Sequence, residues 1–219
     1  MNRLYKNKNI KALVILLELL AIGIVIYLIA LPFYPAIKYK LVYQSKESQA
    51  DWQDIEAVKQ KTKEIIGNLP SAEVSGEPNP LSQVEYNTSA NRVIIAKIGV
   101  NAPIIESANG DYALSRGAWR LPESSTPDKG GNTVVTGHRF KYLPPSNLTF
   151  YLFNKLETGD IVSLVWQGED YYYRIKEIKI VQSDDGSILN PADEPILTLF
   201  TCDPIYSQKN RLVVIGEKI

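Results

Sequence analysis

The chain has one cysteine, Cys202, one histidine, His138, and one methionine, Met1, in 219 residues. A single cysteine excludes an internal disulfide and any zinc site built on several thiolates. There is also no surplus of either charge, since 24 basic and 24 acidic residues cancel. Residues 1–36 hold Arg3, Lys6, Lys8 and Lys11 against Glu18 alone, which leaves 20 basic and 23 acidic residues beyond them. That slight acidic excess gives no electrostatic footprint for nucleic acid. No internal repeat is visible. At 45% apolar and 22% charged, the composition is that of a globular protein rather than a disordered one.

One long apolar run is present. Residues 12–31 are interrupted only by Glu18, near the N-terminal end. Twenty helical residues at about 1.5 Å each span roughly the 30 Å hydrocarbon core of a bilayer. A cleaved signal peptide would have a shorter apolar core and a small-x-small site after it, so the run reads as an uncleaved anchor. Pro32 and Pro35 are expected to break the helix at the interface, beside Phe33 and Tyr34. Basic residues stand on both sides, with Lys38, Lys40 and Lys46 following the run. The positive-inside bias points to a cytoplasmic N-terminus, with the long C-terminal part outside the cell membrane.

Three segments follow from these patterns: 1–36 as tail and anchor, 37–91 as stalk and linker, and 92–219 as a β-rich domain. Leu41, Trp52, Ile55, Val58, Ile65 and Ile66 recur loosely at helical spacing, which predicts one or two stalk helices over 39–66. Residues 67–91 carry Pro70, Gly76, Pro78 and Pro80 and read as a linker. From Arg92 onward, short β-rich runs alternate with turn signals, at 93–98, 102–105, 133–136, 161–166, 171–181, 196–201 and 211–215. One short helix is expected at 148–156. Many short strands with almost no helix predict an all-β sandwich or closed barrel.

The lone thiol and lone imidazole are the minimum set for cysteine nucleophilic catalysis. A free thiol is only a few per cent thiolate at pH 7, and a nearby imidazole can hold its proton or deliver it to a leaving amine. Arg211 begins a strand-like run nine positions after Cys202. A guanidinium keeps its charge and suits a developing oxyanion. The residues alone leave a second reading open, since a lone cysteine in an apolar run is usually a packed core residue.

The segment Thr198-Leu199-Phe200-Thr201-Cys202 resembles the TLxTC signature of sortases, the membrane-anchored cysteine transpeptidases of mainly Gram-positive bacteria. The resemblance extends over most of 92–217. It includes Val93-Ile94-Ile95-Ala96-Lys97-Ile98-Gly99-Val100, Gly130-Gly131-Asn132, Gly137-His138-Arg139, the turn residues Leu156, Gly159 and Asp160, and Arg211-Leu212-Val213-Val214. It implies an eight-stranded sortase-type β-barrel. It also implies Cys202 as nucleophile, His138 as general acid/base, Arg211 as oxyanion or substrate stabiliser, and Thr201 and Thr198 as substrate-binding residues. The implied substrate is a C-terminal sorting signal of Leu-Pro-x-Thr-Gly type, with a Leu-Ala-x-Thr-Gly variant as an alternative. It would be cleaved after threonine and passed to an amine, either a cell-wall precursor or a pilin lysine. Gly137-His138-Arg139 and Cys202-Asp203-Pro204 resemble classes D and E most. A pilin-assembling class C enzyme would be expected to add a lid and a second hydrophobic segment, and Asp51-Trp52 reads as stalk rather than lid anchor. Glu106, Asp111 and Asp128 read as loop residues, so no metal and no cofactor is expected. A membrane-anchored thiol peptidase and an inactive barrel that binds sorting signals are the competing readings.

Overall fold

The structure, a computed structural model, describes residues 8–42, 51–68, 91–141 and 145–219. Helix α1 (Lys8–Ala30) runs into a 3-10 turn (Leu31–Phe33) and then α2 (Tyr34–Val42). The stretch Asn9–Phe33, 25 residues long, is apolar enough to cross a membrane and is unburied. Pro32 and Pro35 do not end the helical path as expected. Each falls in a first turn, where the missing N–H had no partner to lose. Tyr39 of α2 is buried against the domain that follows, and the Tyr151 hydroxyl donates to the Pro32 carbonyl at 2.8 Å.

Helix α3 (Ile55–Gly67) starts at Asp54, whose side chain accepts from the Ala57 N–H at 2.8 Å. Val58 and Thr62, one turn apart, form its buried face. Val58 packs on Ile161 and Tyr172, and the Thr62 hydroxyl meets that of Ser163 at 3.0 Å. The part of 39–66 read as stalk therefore lies partly against the β-rich domain. Of the expected linker, only Gly67, Asn68 and Asn91 lie within the described residues.

The remainder is one closed barrel. Its strands are β1 (Arg92–Ile95), β2 (Val100–Glu106), β3 (Ala118–Arg120), β4 (Asn132–Thr136), β5 (Ile161–Trp166), β6 (Glu169–Gln182), β7 (Ile196–Asp203) and β8 (Asn210–Lys218). Around the barrel the order is β1-β2-β3-β4-β7-β8-β6-β5, and β5 pairs with β1 to close it. The β2–β3 and β4–β7 pairs are parallel, and the others are antiparallel. The interior is filled by Val93, Ile95, Val135, Leu164, Tyr173, Leu197, Leu199 and Val214, all nearly inaccessible.

The expected helix at 148–156 is instead a set of turns ending in a 3-10 turn, Phe153–Lys155. The Phe150 N–H bonds across to the His138 carbonyl at 2.8 Å, so it is not available to an α-helix. A short helix, α4 (Gly110–Leu114), and strand β3 were not foreseen.

One buried ionic group ties the turn after β1 to the turn before β5. Lys97 Nζ lies 2.8 Å from Asp160 Oδ2 and 2.8 Å from Glu157 Oε2. Lys97 and Asp160 are 2% and 1% exposed, whereas Glu157 is largely in solvent. Burial opposes the ammonium charge, but hydrogen bonds to the two carboxylates outweigh it and raise the Lys97 pKa. Replacing Asp160 by asparagine leaves the buried ammonium only the solvent-exposed Glu157 as counter-charge, and breaking a buried pair in this way costs up to about 3–5 kcal/mol. Asp160→Asn is therefore expected to lower the thermal midpoint of the full chain in detergent micelles strongly. The double replacement Lys97→Met with Asp160→Leu should recover most of that loss. Equal midpoints for Asp160→Asn and wild type would refute the account.

Candidate active site

Strands β4 and β7 lie side by side in parallel register. Asn132 pairs with Ile196, Val134 with Thr198 and Thr136 with Phe200. Each pair is 64 positions apart, and so are His138 and Cys202. The pairing ends at Thr136 and Phe200, and two residues further on each chain His138 and Cys202 line the same cleft. On the other side of β7, Cys202 pairs directly with Arg211 of β8. Three adjacent chains thus bring the sequence-predicted residues His138, Cys202 and Arg211 to one end of the barrel.

Alternation decides which way they face. Leu197 and Leu199 point into the core. Cys202, an odd number of positions away, belongs with Phe200 on the opposite face. There, a cleft of about 510 Å³ is lined by His138, Cys202, Arg211, Thr136 and Phe200. Residues 183–186, Ile188 and Leu189 of the β6–β7 connection and Asp111 and Leu114 of α4 also line it. Trp119 and Leu121, in and just after β3, complete the lining. A hollow of about 600 Å³ lies beyond Leu189, but neither Cys202 nor His138 lines it. Trp52 lies on the β5 side, where its carbonyl accepts from the Ile161 N–H, and is absent from the cleft lining.

His138 is held by its backbone. Its carbonyl accepts from Phe150, and a Cβ on Gly137 would stand only 3.0 Å from the Phe150 ring. Glycine is what lets the chain leave β4 beneath that ring. Partial burial, reinforced by Lys141, pushes the imidazole below its ordinary pKa, against a smaller upward pull from Asp111. That shift favours the neutral imidazole in the resting protein. Arg211 Nη1 donates to the carbonyls of Gln208 at 2.9 Å and Asn210 at 3.1 Å, which holds the guanidinium at the rim of the cleft.

Two of the expected substrate-binding residues are placed differently. Thr201 and Thr198 are each 1% exposed. The Thr201 hydroxyl donates to the Gly137 carbonyl at 2.7 Å, tying the cysteine strand to the histidine turn. The Thr198 hydroxyl donates to Asn132 Oδ1 at 2.8 Å beneath the cleft floor. Neither is among the residues that line the cleft, and both hydroxyls brace the strands beside it.

Arg139 was not singled out, yet it is buried beside the site. It donates to the carbonyls of Tyr151 at 3.0 Å and Cys202 at 3.4 Å, and pairs with Asp203 at 3.4 Å. It fastens the exit of β4 to the end of β7. Its position directly after the histidine was the available signal. Among the described residues, no group of three or more His, Cys, Asp or Glu side chains is placed to share a metal ion. Of the loop acids, Glu106 pairs with Arg120, and Asp111 lines the cleft.

Comparison with known proteins finds relatives for the barrel as a whole. A family model described as Sortase domain matches residues 93–219. Sortase D of Bacillus subtilis is 26% identical over 187 residues, covering 83% of this chain and 89% of that protein. Sortase SrtE1 of Streptomyces coelicolor is 28% identical over 183 residues, covering 77% of this chain and 50% of that protein. Among solved structures, sortase E1 of Streptomyces coelicolor with a tripeptide in its active site superposes with a TM-score of 0.53. It is 28% identical and covers 59% of this chain and 87% of that one. Sortase C1 of GBS Pilus Island 1 gives a TM-score of 0.54 at 28% identity, covering 75% and 86%.

Proposed function

The chain belongs to the sortase family of cysteine transpeptidases, and on that premise we propose that it cleaves a C-terminal sorting signal of Leu-Pro-x-Thr-Gly or Leu-Ala-x-Thr-Gly type through Cys202. The observation that carries the proposal is the convergence of His138, Cys202 and Arg211 on one cleft, with Cys202 paired directly to Arg211. The Cys202 thiol gives its proton to the His138 imidazole, and the resulting thiolate attacks the threonine carbonyl carbon. Negative charge gathers on the carbonyl oxygen, where the fixed guanidinium of Arg211 stabilises it. The threonine–glycine bond breaks, and the imidazolium of His138 gives its proton to the leaving amine. The thioester that remains is attacked by a second amine, which loses a proton to His138 as the amide forms and the thiolate leaves.

The residues that do this sit in the barrel at 92–219, with α3 packed on its β5–β6 side. The acceptor is a cell-wall precursor, so the enzyme anchors surface proteins. Residues 1–36 are tail and anchor, with the N-terminus cytoplasmic and the barrel outside, where sorting signals and acceptor amines meet; the apolar stretch Asn9–Phe33 supports this reading.

The test uses the full chain in detergent micelles with a Leu-Pro-x-Thr-Gly or Leu-Ala-x-Thr-Gly peptide and a panel of amines, followed by intact mass. A thioester adduct on the protein, then an amide-linked product, is expected. No adduct with either peptide would overturn the substrate assignment. An adduct that only hydrolyses with every amine would make the chain a thiol peptidase in practice.

A further inference from the structure

We infer that Asn132 is a positioning residue that sets one wall of the cleft, and so governs how tightly the peptide substrate is held; this rests on the function proposed above. Asn132 opens β4 at the end away from His138, and its side chain is buried. Its amide nitrogen donates to the carbonyls of Ile188 and Asn190, each at 3.0 Å. Its amide oxygen accepts from the buried Thr198 hydroxyl at 2.8 Å. Both N–H donors of the amide are used, and the carbonyls of Ile188 and Asn190, which can only accept, fix which end is nitrogen.

The two carbonyls belong to the 3-10 turn Gly186–Leu189 and the residue that caps it. Ile188 and Leu189 of that turn line the cleft on the side facing Cys202. The turn's other hydrogen bonds are local: Ser187 N–H to Asp185 Oδ1, and Asn190 N–H to the Ser187 carbonyl. Among the described residues, the bonds that join this turn to the barrel are the two from Asn132. The same residue's backbone carbonyl accepts from Ser125 N–H, so the β3–β4 loop is fastened to Asn132 as well. Thr198 stands four residues before Cys202 on β7. One side chain therefore ties the cleft wall to the strand that carries the thiol, without touching the reacting atoms.

Asn132→Asp keeps the shape but replaces the two donors with a carboxylate oxygen that faces two carbonyls. That repels the turn instead of holding it. The catalytic level of His138 and Cys202 lies at the far end of β4 and should be untouched. The expected result for the full chain in micelles is a rise in KM for peptide cleavage of about tenfold to a hundredfold, with kcat within about twofold. Hydrogen exchange of backbone amides in 183–190 should speed up, while 133–138 and 197–203 stay protected. Thr198→Val, which preserves packing and removes the hydrogen bond to Asn132 Oδ1, should show the same pattern more weakly and serves if Asn132→Asp does not fold. Unchanged exchange in 183–190, or a fall in kcat at constant KM, would overturn the inference. If the wild-type chain cleaves no peptide, the proposed function fails, and the exchange arm alone then decides whether Asn132 holds the turn.

Discussion

Cys202→Ala is expected to abolish peptide cleavage, with kcat falling by on the order of 10⁴-fold or more. The replacement is small, and Cys202 is only partly buried at the end of β7, so little packing is lost. The β7–β8 ladder uses backbone groups and survives the change. The variant should therefore melt close to wild type while forming no thioester. This separates the mechanism from the packed-thiol reading. A structural cysteine would give the reverse pattern, a lowered thermal midpoint with turnover retained per folded molecule. Intact mass after peptide addition reads the chemistry, and a thermal scan reads the packing. Residual turnover within a hundredfold of wild type would remove Cys202 as the nucleophile.

His138→Gln is expected to lower kcat/KM by roughly 10³-fold, within the range for loss of a positioned general acid and base. Glutamine can still donate and accept a hydrogen bond, but it cannot carry a proton from thiol to leaving amine. The backbone bond from Phe150 to the residue 138 carbonyl remains, so the loop should hold its place. The wild-type imidazole gives a further check, because it is the chain's only one. Its nuclear magnetic resonance titration should show a midpoint below the ordinary 6.5, because burial and Lys141 both disfavour imidazolium and Asp111 offsets them only in part. The resting imidazole is then mostly neutral at pH 7, and the protonated form needed to release the leaving amine is a minority. A midpoint above 6.5 would mean that Asp111 dominates instead. A loss smaller than tenfold in His138→Gln would exclude the imidazole as the proton carrier.

Much of this was legible in the chain itself. β5 was expected at 161–166 and is found there, because turn signals bound it on both sides. The β-rich pattern after Arg92 and the TLxTC-like frame led to the barrel and to the cysteine at the end of β7. Other features depend on contacts that no local window contains. The stretch 148–156 has helix-like composition, but one cross-chain bond to the His138 carbonyl claims the donor an α-helix would need. α3 shows helical spacing, yet nothing in that spacing says whether its apolar face meets a partner or the barrel. Thr198 and Thr201 sit beside the nucleophile in sequence, but their hydroxyls are consumed by Asn132 and Gly137. Asn132 itself looked like part of a glycine-rich turn. Its three side-chain bonds reach residues more than fifty positions away.

The register of 64 between β4 and β7 also sorts insertions and deletions by where they fall. One residue added to or removed from β7 before Cys202 would shift the thiol by about 3.3 Å and turn it to the core face. No rearrangement of loops can undo that. The hairpin joining β5 to β6 lies inside the same interval, but its turn at Gln167 and Gly168 is away from both strands. Extra residues there leave the thiol and imidazole level. The long stretch of chain between the two groups is therefore free to vary in length at its turns, while the last few residues before each are fixed in number.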